Sequence, residues 1–380
     1  MEETNENMTC GNSRNSQYQV EFYQDFNWWV GGVLSIFTSV LGIILNTVSI
    51  CVLCNRRIRA SLFNRLLVCL AIMDSLFLAA TIFDALTRKL ITLYSFHHVF
   101  IFVHILYPAR SMLICSSTYM TVGLSYERYA FLTKPIHQRA RHNTNTYSRL
   151  ALYCSLIITF SILYYIPRFF DLELEKLPCR KSSEEMNGTL FNCSEQYDFR
   201  PTPIRINPNY VLWYINVSNL VVTGVIPGVL LGFFNYKISK SLQRSNQTRA
   251  SMVSRQRSTA AKQQNKNNSD HGRTLVLFAI VILFFVCHAL RIILNIEEVA
   301  NLASEGDPKT ESCPILRFWA VVLIPVSNLL IQVNASANFF IYCFCDRVFK
   351  EVLVSQLSIK YSFPTRTSRT QESFKLSEFV

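Results

Sequence analysis

Apolar residues gather into seven long runs, and polar residues fill the stretches between them. The runs lie near Val30–Leu53, Leu66–Leu86, Val99–Tyr129, Ser148–Pro167, Val211–Tyr236, Thr274–Ile296 and Phe318–Phe344. A helix rises about 1.5 Å per residue, so roughly 20 apolar residues cover a hydrocarbon core about 30 Å thick. Backbone groups in lipid find no water, so such a run must bond to itself as a helix. The pattern predicts an all-α membrane protein with seven crossings. The third run is the most polar, with Arg110, Ser116, Ser117, Thr118 and Thr121 inside it. That composition suits a helix surrounded by other helices rather than by lipid.

The connecting segments set a direction. Arg56, Arg57, Arg59 and Arg65 follow the first run, Lys134, Arg139 and Arg141 the third, and nine basic residues from Lys237 to Arg273 the fifth. Basic connectors stay on the cytoplasmic side. The other side is richer in acids, among them Glu2, Glu3, Glu6, Glu184, Glu185, Glu305 and Asp307, although Arg88, Lys89, Arg180 and Lys181 fall there too. The amino terminus is expected outside, the carboxyl terminus inside, and the chain in the plasma membrane. The net charge of +12 is then a mark of topology. No basic stripe interleaved with aromatics points to nucleic acid. The first 27 residues lack the apolar stretch of a cleavable signal, so the first run is expected to act as its own insertion signal.

This divides the chain into an outer tail (1–28), a membrane domain (29–345), and an amphipathic helix with a cytoplasmic tail (346–380). Asn7, Asn187 and Asn192 head glycosylation sequons on the expected outside. Cys10, Cys179, Cys193 and Cys313 share that oxidising side and could form two disulfides, in any of three pairings. Residues 238–272 are rich in Ser, Asn, Gln, Arg and Lys and are expected to be flexible. Between Asp346 and Leu357, Val348, Phe349, Val352 and Leu353 alternate with Arg347 and Lys350 as in a helix lying on membrane lipids. Cys343 and Cys345 beside it are palmitoylation candidates. Serines and threonines of the tail, such as Ser362 and Thr365, are candidate phosphorylation sites.

Polar residues inside the runs are the candidates for chemistry. Asp74 sits near the middle of the second run, where a carboxylate costs at least about 2.5–3.5 kcal/mol unless it faces partners. Asn46, Ser117, Asn334 and Asn338 could reach it from neighbouring helices. Glu127-Arg128-Tyr129 ends the third run. On helical spacing, His288, Arg291 and Asn295 share a face of the sixth. Arg110, Arg291, Asp84, Glu297 and Glu298 could line one cavity, either as a charged ligand pocket or with Asp84 simply neutralising an arginine. No metal-ligand spacing, phosphate loop or nucleophile elbow points to an enzyme or to a cofactor.

Gly42 with Asn46, Leu70-Ala71 with Asp74, Glu127-Arg128-Tyr129, and Asn338-Phe339-Phe340-Ile341-Tyr342 together resemble the rhodopsin-type G-protein-coupled receptors, over roughly residues 28–357. Tyr165-Ile166-Pro167-Arg168-Phe169 and Phe284-Phe285-Val286-Cys287 are similar to invertebrate neuropeptide receptors of the FMRFamide kind. The resemblance implies a peptide ligand and a heterotrimeric G protein. It implies that Arg128 is a switch held by Glu127, with Asp270 as a second restraint, and that Tyr342 swings inward on activation. It implies a sodium ion at Asp74, Asn46, Ser117, Asn334 and Asn338, and a bulge of the fifth helix near Pro227. The chain departs from the family pattern in places. Val103 stands where a bridging cysteine is usual, His288 and Leu290 where the sixth helix has tryptophan and proline, Asn235 for a tyrosine, and Phe339 for a proline. A non-signalling decoy is therefore a second reading. A transporter or channel is a third, weakened by the absence of repeats and by only 11 glycines.

Overall fold

The computed structural model describes residues 13–90, 95–133, 146–177, 196–253, 260–304 and 317–361, without the side chains of 13–16, 88–90, 242–253, 260–273, 302–304 and 358–361. Seven helices in it are long and apolar enough to cross a membrane: α1 (Gln17–Leu53), α2 (Leu62–Thr87), α3 (Phe96–Thr133), α4 (Thr146–Phe170), α5 (Tyr210–Ser241), α6 (Thr274–Asn301) and α7 (Phe318–Ser336). A shorter segment, Asn338–Cys345, continues α7, and α8 (Arg347–Tyr361) follows it. Large apolar side chains such as Phe37, Leu163, Trp213, Val229 and Ile282 stand exposed around the bundle. A soluble monomer rarely shows so much apolar surface, whereas lipid covers it at no penalty. The chain is a multi-pass membrane protein with an all-α bundle.

Helical order reaches beyond the predicted spans. It starts at Ser13, inside the stretch assigned to the outer tail. It also runs on to Val253 after α5 and begins at Ala260 before α6, through most of the segment expected to be flexible. Polar composition forbids a buried core there, but a helix already nucleated inside the bundle can be extended without one.

One end of the bundle carries a two-stranded antiparallel hairpin that the pattern of apolar runs did not reveal. Strand β1 (Leu172–Leu177) pairs with β2 (Gln196–Pro201), Leu172 opposite Pro201. Val99, Phe102 and Val103 of α3 are buried against Leu172, Leu174, Tyr197 and Phe199 of the hairpin. The other end is closed by α8, whose Phe349 and Val352 join the largest apolar cluster with Leu66, Leu124, Leu277 and Tyr342. Asp346 starts α8: its Oδ1 accepts the backbone N–H groups of Val348 at 2.9 Å and Phe349 at 3.3 Å. This places orphan donors of the first turn on a capping carboxylate.

The wide π-helical winding of α5 over Tyr210–Ser218 and Leu220–Val225 ends at Ile226, one residue before Pro227. The helix containing α6 is unbroken from Ala260 to Ser304, as the leucine at 290 allows. By contrast α7 breaks at Ala337 although Phe339 is no proline. A tight turn forms there, with the Phe340 N–H on the Ala337 carbonyl at 3.1 Å.

Candidate functional site

The centre of the bundle is polar and buried. Asp74 of α2 is 1% exposed. Its Oδ1 accepts from the Ser117 hydroxyl of α3 at 2.6 Å, and its Oδ2 from Asn338 Nδ2 at 2.9 Å. Among the described residues, neither Asn46 nor Asn334 bonds to it. Asn46 instead donates to the Ala335 carbonyl at 3.0 Å and fastens α1 to α7. The same seam holds Ser35 and Ser39, both donating to Gln332 Oε1 at 3.0 and 3.4 Å. Tyr342 is buried against Phe349, and its hydroxyl has no partner among the described residues. An unmatched buried hydroxyl costs about 1–3 kcal/mol, so another position with a partner would be favoured for it.

At the α8 end, Arg128 is buried beside α6. Its Nη2 reaches Thr274 Oγ1 at 3.5 Å, the limit for a hydrogen bond, and its guanidinium lies 5.7 Å from the Phe131 ring. Glu127 forms an ion pair with Arg149 of α4 and accepts from the Tyr153 hydroxyl at 3.2 Å. Arg149 and Tyr153 were not singled out in the sequence. Their spacing of four on one helix face was the available signal. The Asp270 side chain lies outside the described residues.

At the hairpin end, the expected charged residues divide. Arg110 pairs with Asp84 at 2.8 Å. Arg291 donates to Asn328 of α7 at 3.3 Å. Glu297 pairs with Arg317 at 3.4 Å and accepts from Asn301 at 3.4 Å. His288 is buried, stacked on Phe284 at 4.1 Å, with Nδ1 3.0 Å from the Phe284 carbonyl. Asn295 and Glu298 are half-buried. The structure thus brings Asp84 to Arg110, leaves Arg291 with a neutral partner, and turns Glu297 toward the start of α7. Cys10, Cys179, Cys193, Cys313, Asn7, Asn187 and Asn192 lie outside the described residues.

A model of the seven-transmembrane receptors of the rhodopsin family matches residues 45–342. The chain belongs to the rhodopsin family. This receptor is 29% identical over 353 residues to the FMRFamide receptor of Drosophila melanogaster, covering 90% of this chain and 56% of that one. It is 28% identical over 239 residues to sex peptide receptor-related protein 2 of Caenorhabditis elegans, covering 61% and 49%. It is 24% identical over 274 residues to the B1 bradykinin receptor of Chlorocebus pygerythrus, covering 68% and 64%. The receptor therefore spans between about half and two thirds of the length of these relatives. The family consists of receptors, not enzymes or transporters, which removes the transporter reading. The departures from the family pattern sit inside a complete bundle: Val103 is buried against the hairpin, and Asn235 is buried with its Nδ2 on the Leu231 carbonyl at 2.7 Å.

Proposed function

We propose that this receptor binds an extracellular peptide of the FMRFamide-like kind and activates a heterotrimeric G protein. The hairpin end then faces the outside of the plasma membrane, and the α8 end the cytoplasm. The observation that carries the reading is the place of Arg128. A buried guanidinium at the α8 end lies against α6, where it reaches Thr274, so a movement of α6 would change its surroundings. Ligand binding drives such a movement only if it favours the open arrangement over the closed one. Glu127, and Asp270 on the same side, restrain Arg128, while Tyr342 is poised to move.

The peptide class is favoured by the names of the relatives, an FMRFamide, a sex-peptide-related and a bradykinin receptor. The Asp84–Arg110 pair and Arg291 offer charged and amide-binding groups to such a ligand. Asp74, Ser117 and Asn338 supply oxygen atoms that suit a sodium ion in the inactive receptor. The tail serves receptor kinases and arrestin. The test is a screen of amidated peptides on cells expressing the chain, read as calcium and cyclic AMP. A peptide response that Arg128→Ala abolishes at unchanged surface expression supports the reading; a variant that signals normally removes the switch.

The unbroken α6, with His288 and Leu290 in place of the usual tryptophan and proline, favours a second reading, a receptor that binds peptide without signalling. Peptide binding with no G-protein response in that screen would select it.

A further inference from the structure

We propose that Asp171 is a positioning residue, a non-covalent pin that fastens the β-hairpin to the ends of α3, α4 and α5. Asp171 lies between the last residue of α4 and the first of β1, and it is fully buried. Three side chains from three helices converge on its carboxylate. Tyr107 of α3 donates to Oδ2 at 2.9 Å, Arg168 of α4 to Oδ2 at 3.2 Å, and Tyr210 of α5 to Oδ1 at 2.7 Å. Arg168 also donates to the Tyr107 hydroxyl at 2.7 Å, which links two of the donors to each other. The Asp171 carbonyl accepts the backbone N–H of Thr202 at 3.0 Å and its hydroxyl at 3.2 Å. Thr202 directly follows β2, so one residue holds both roots of the hairpin.

Beside this lies the apolar patch of Val99, Phe102 and Val103 against the hairpin, with the Phe102 and Phe199 rings 5.4 Å apart. Apolar contact holds the hairpin down but is not directional. A buried carboxylate is directional: any shift of α3, α4 or α5 at this end leaves it short of a donor. The patch therefore supplies adhesion, and Asp171 supplies place. No covalent tie to α3 shares the task. The α3 helix has one cysteine, Cys115, and it is a buried free thiol.

The inference does not depend on the ligand. It is tested by hydrogen exchange with mass spectrometry on the full chain in lipid nanodiscs, with and without dithiothreitol. In the wild type, strands Leu172–Leu177 and Gln196–Pro201 should stay equally protected in both conditions. Tyr107→Phe and Tyr210→Phe each remove one hydroxyl and keep the ring. Each should speed exchange of the strand amides on the order of tenfold, with exchange in α2 and α6 changed much less. Asp171→Asn should speed it further; should that variant fail to fold, the two phenylalanine variants decide alone. Release of the hairpin by reductant alone would overturn the proposal. So would wild-type exchange in both phenylalanine variants, or a loss of protection spread evenly over the bundle.

Discussion

Gly42 of α1 and Ser336 of α7 lie so close that a Cβ added at Gly42 would stand 2.1 Å from Ser336 Oγ. The same atom would meet Leu78 Cδ1 of α2 at 2.7 Å, so three helices close on one missing methyl group. Beside this contact, Ser336 donates to the Gln332 carbonyl at 2.7 Å and the Asn46 side chain reaches the Ala335 carbonyl. The small residue lets the backbones approach, and the approach lets the buried polar groups find partners.

Gly42→Ala should therefore destabilise the receptor by about 1–3 kcal/mol through overpacking. Gly42→Val should lose surface expression altogether. Melting of the purified protein and cell-surface staining check this; an alanine variant with wild-type melting would mean that α1 can move away at no cost.

The buried Asp74 makes a second expectation. Asn338→Leu removes one of the two described donors to the carboxylate and should lower stability by about 1.5–3 kcal/mol, the range for bonds to charged groups. Asp74→Asn keeps the shape and removes the charge. If a sodium ion binds there, ligand affinity in the wild type falls with added sodium but not with added choline, and Asp74→Asn abolishes the difference. A sodium-independent wild type would remove the ion.

Arg149 pairs with Glu127, the chain neighbour of the proposed switch Arg128. Arg149→Gln leaves the Glu127 carboxylate to its remaining partners, and Arg128 is the adjacent cation. Tighter restraint of Arg128 should lower basal signalling and weaken agonist potency by about 5- to 30-fold, a coupling of about 1–2 kcal/mol. Glu127→Gln should act in the opposite direction and raise basal signalling. Basal G-protein activation at matched expression measures both; like-signed effects would refute the competition.

The Asp84–Arg110 pair is open to a double-mutant cycle. Either single neutral variant, Asp84→Asn or Arg110→Gln, breaks the pair and should lower expression, at a cost below the about 3–5 kcal/mol of a fully buried pair because Arg110 is 23% exposed. The double variant should recover expression. Recovered expression without recovered peptide binding would assign the pair to the ligand as well as to the fold.

Some of the site could be read from sequence and some could not. Asp74 and Ser117 were legible because a mid-span carboxylate must find donors on facing helices. Arg128 was singled out only through the resemblance of Glu127-Arg128-Tyr129 and the motifs of the other runs to the family, since an arginine at the end of a run could by itself simply reach the membrane surface. Asp84 with Arg110 was legible only as one of two pairings. Arg149 with Glu127 and Asp171 with Tyr107 and Tyr210 went unnoticed, since each joins residues at least 22 positions apart that look ordinary alone. Asn46 was assigned to the polar centre and in fact binds the α7 backbone, because side-chain direction follows from helix rotation, which periodicity leaves open.

By itself the sequence determined the seven crossings and the helix at the α8 end. Lipid offers no partner to the backbone, so length and apolarity alone enforce helices wherever they occur. Which polar groups meet inside the bundle was decided only by the tertiary structure. Serine, asparagine, tyrosine and arginine can each satisfy several partners, and helix rotation, the Gly42 approach and the hairpin's seat choose among them.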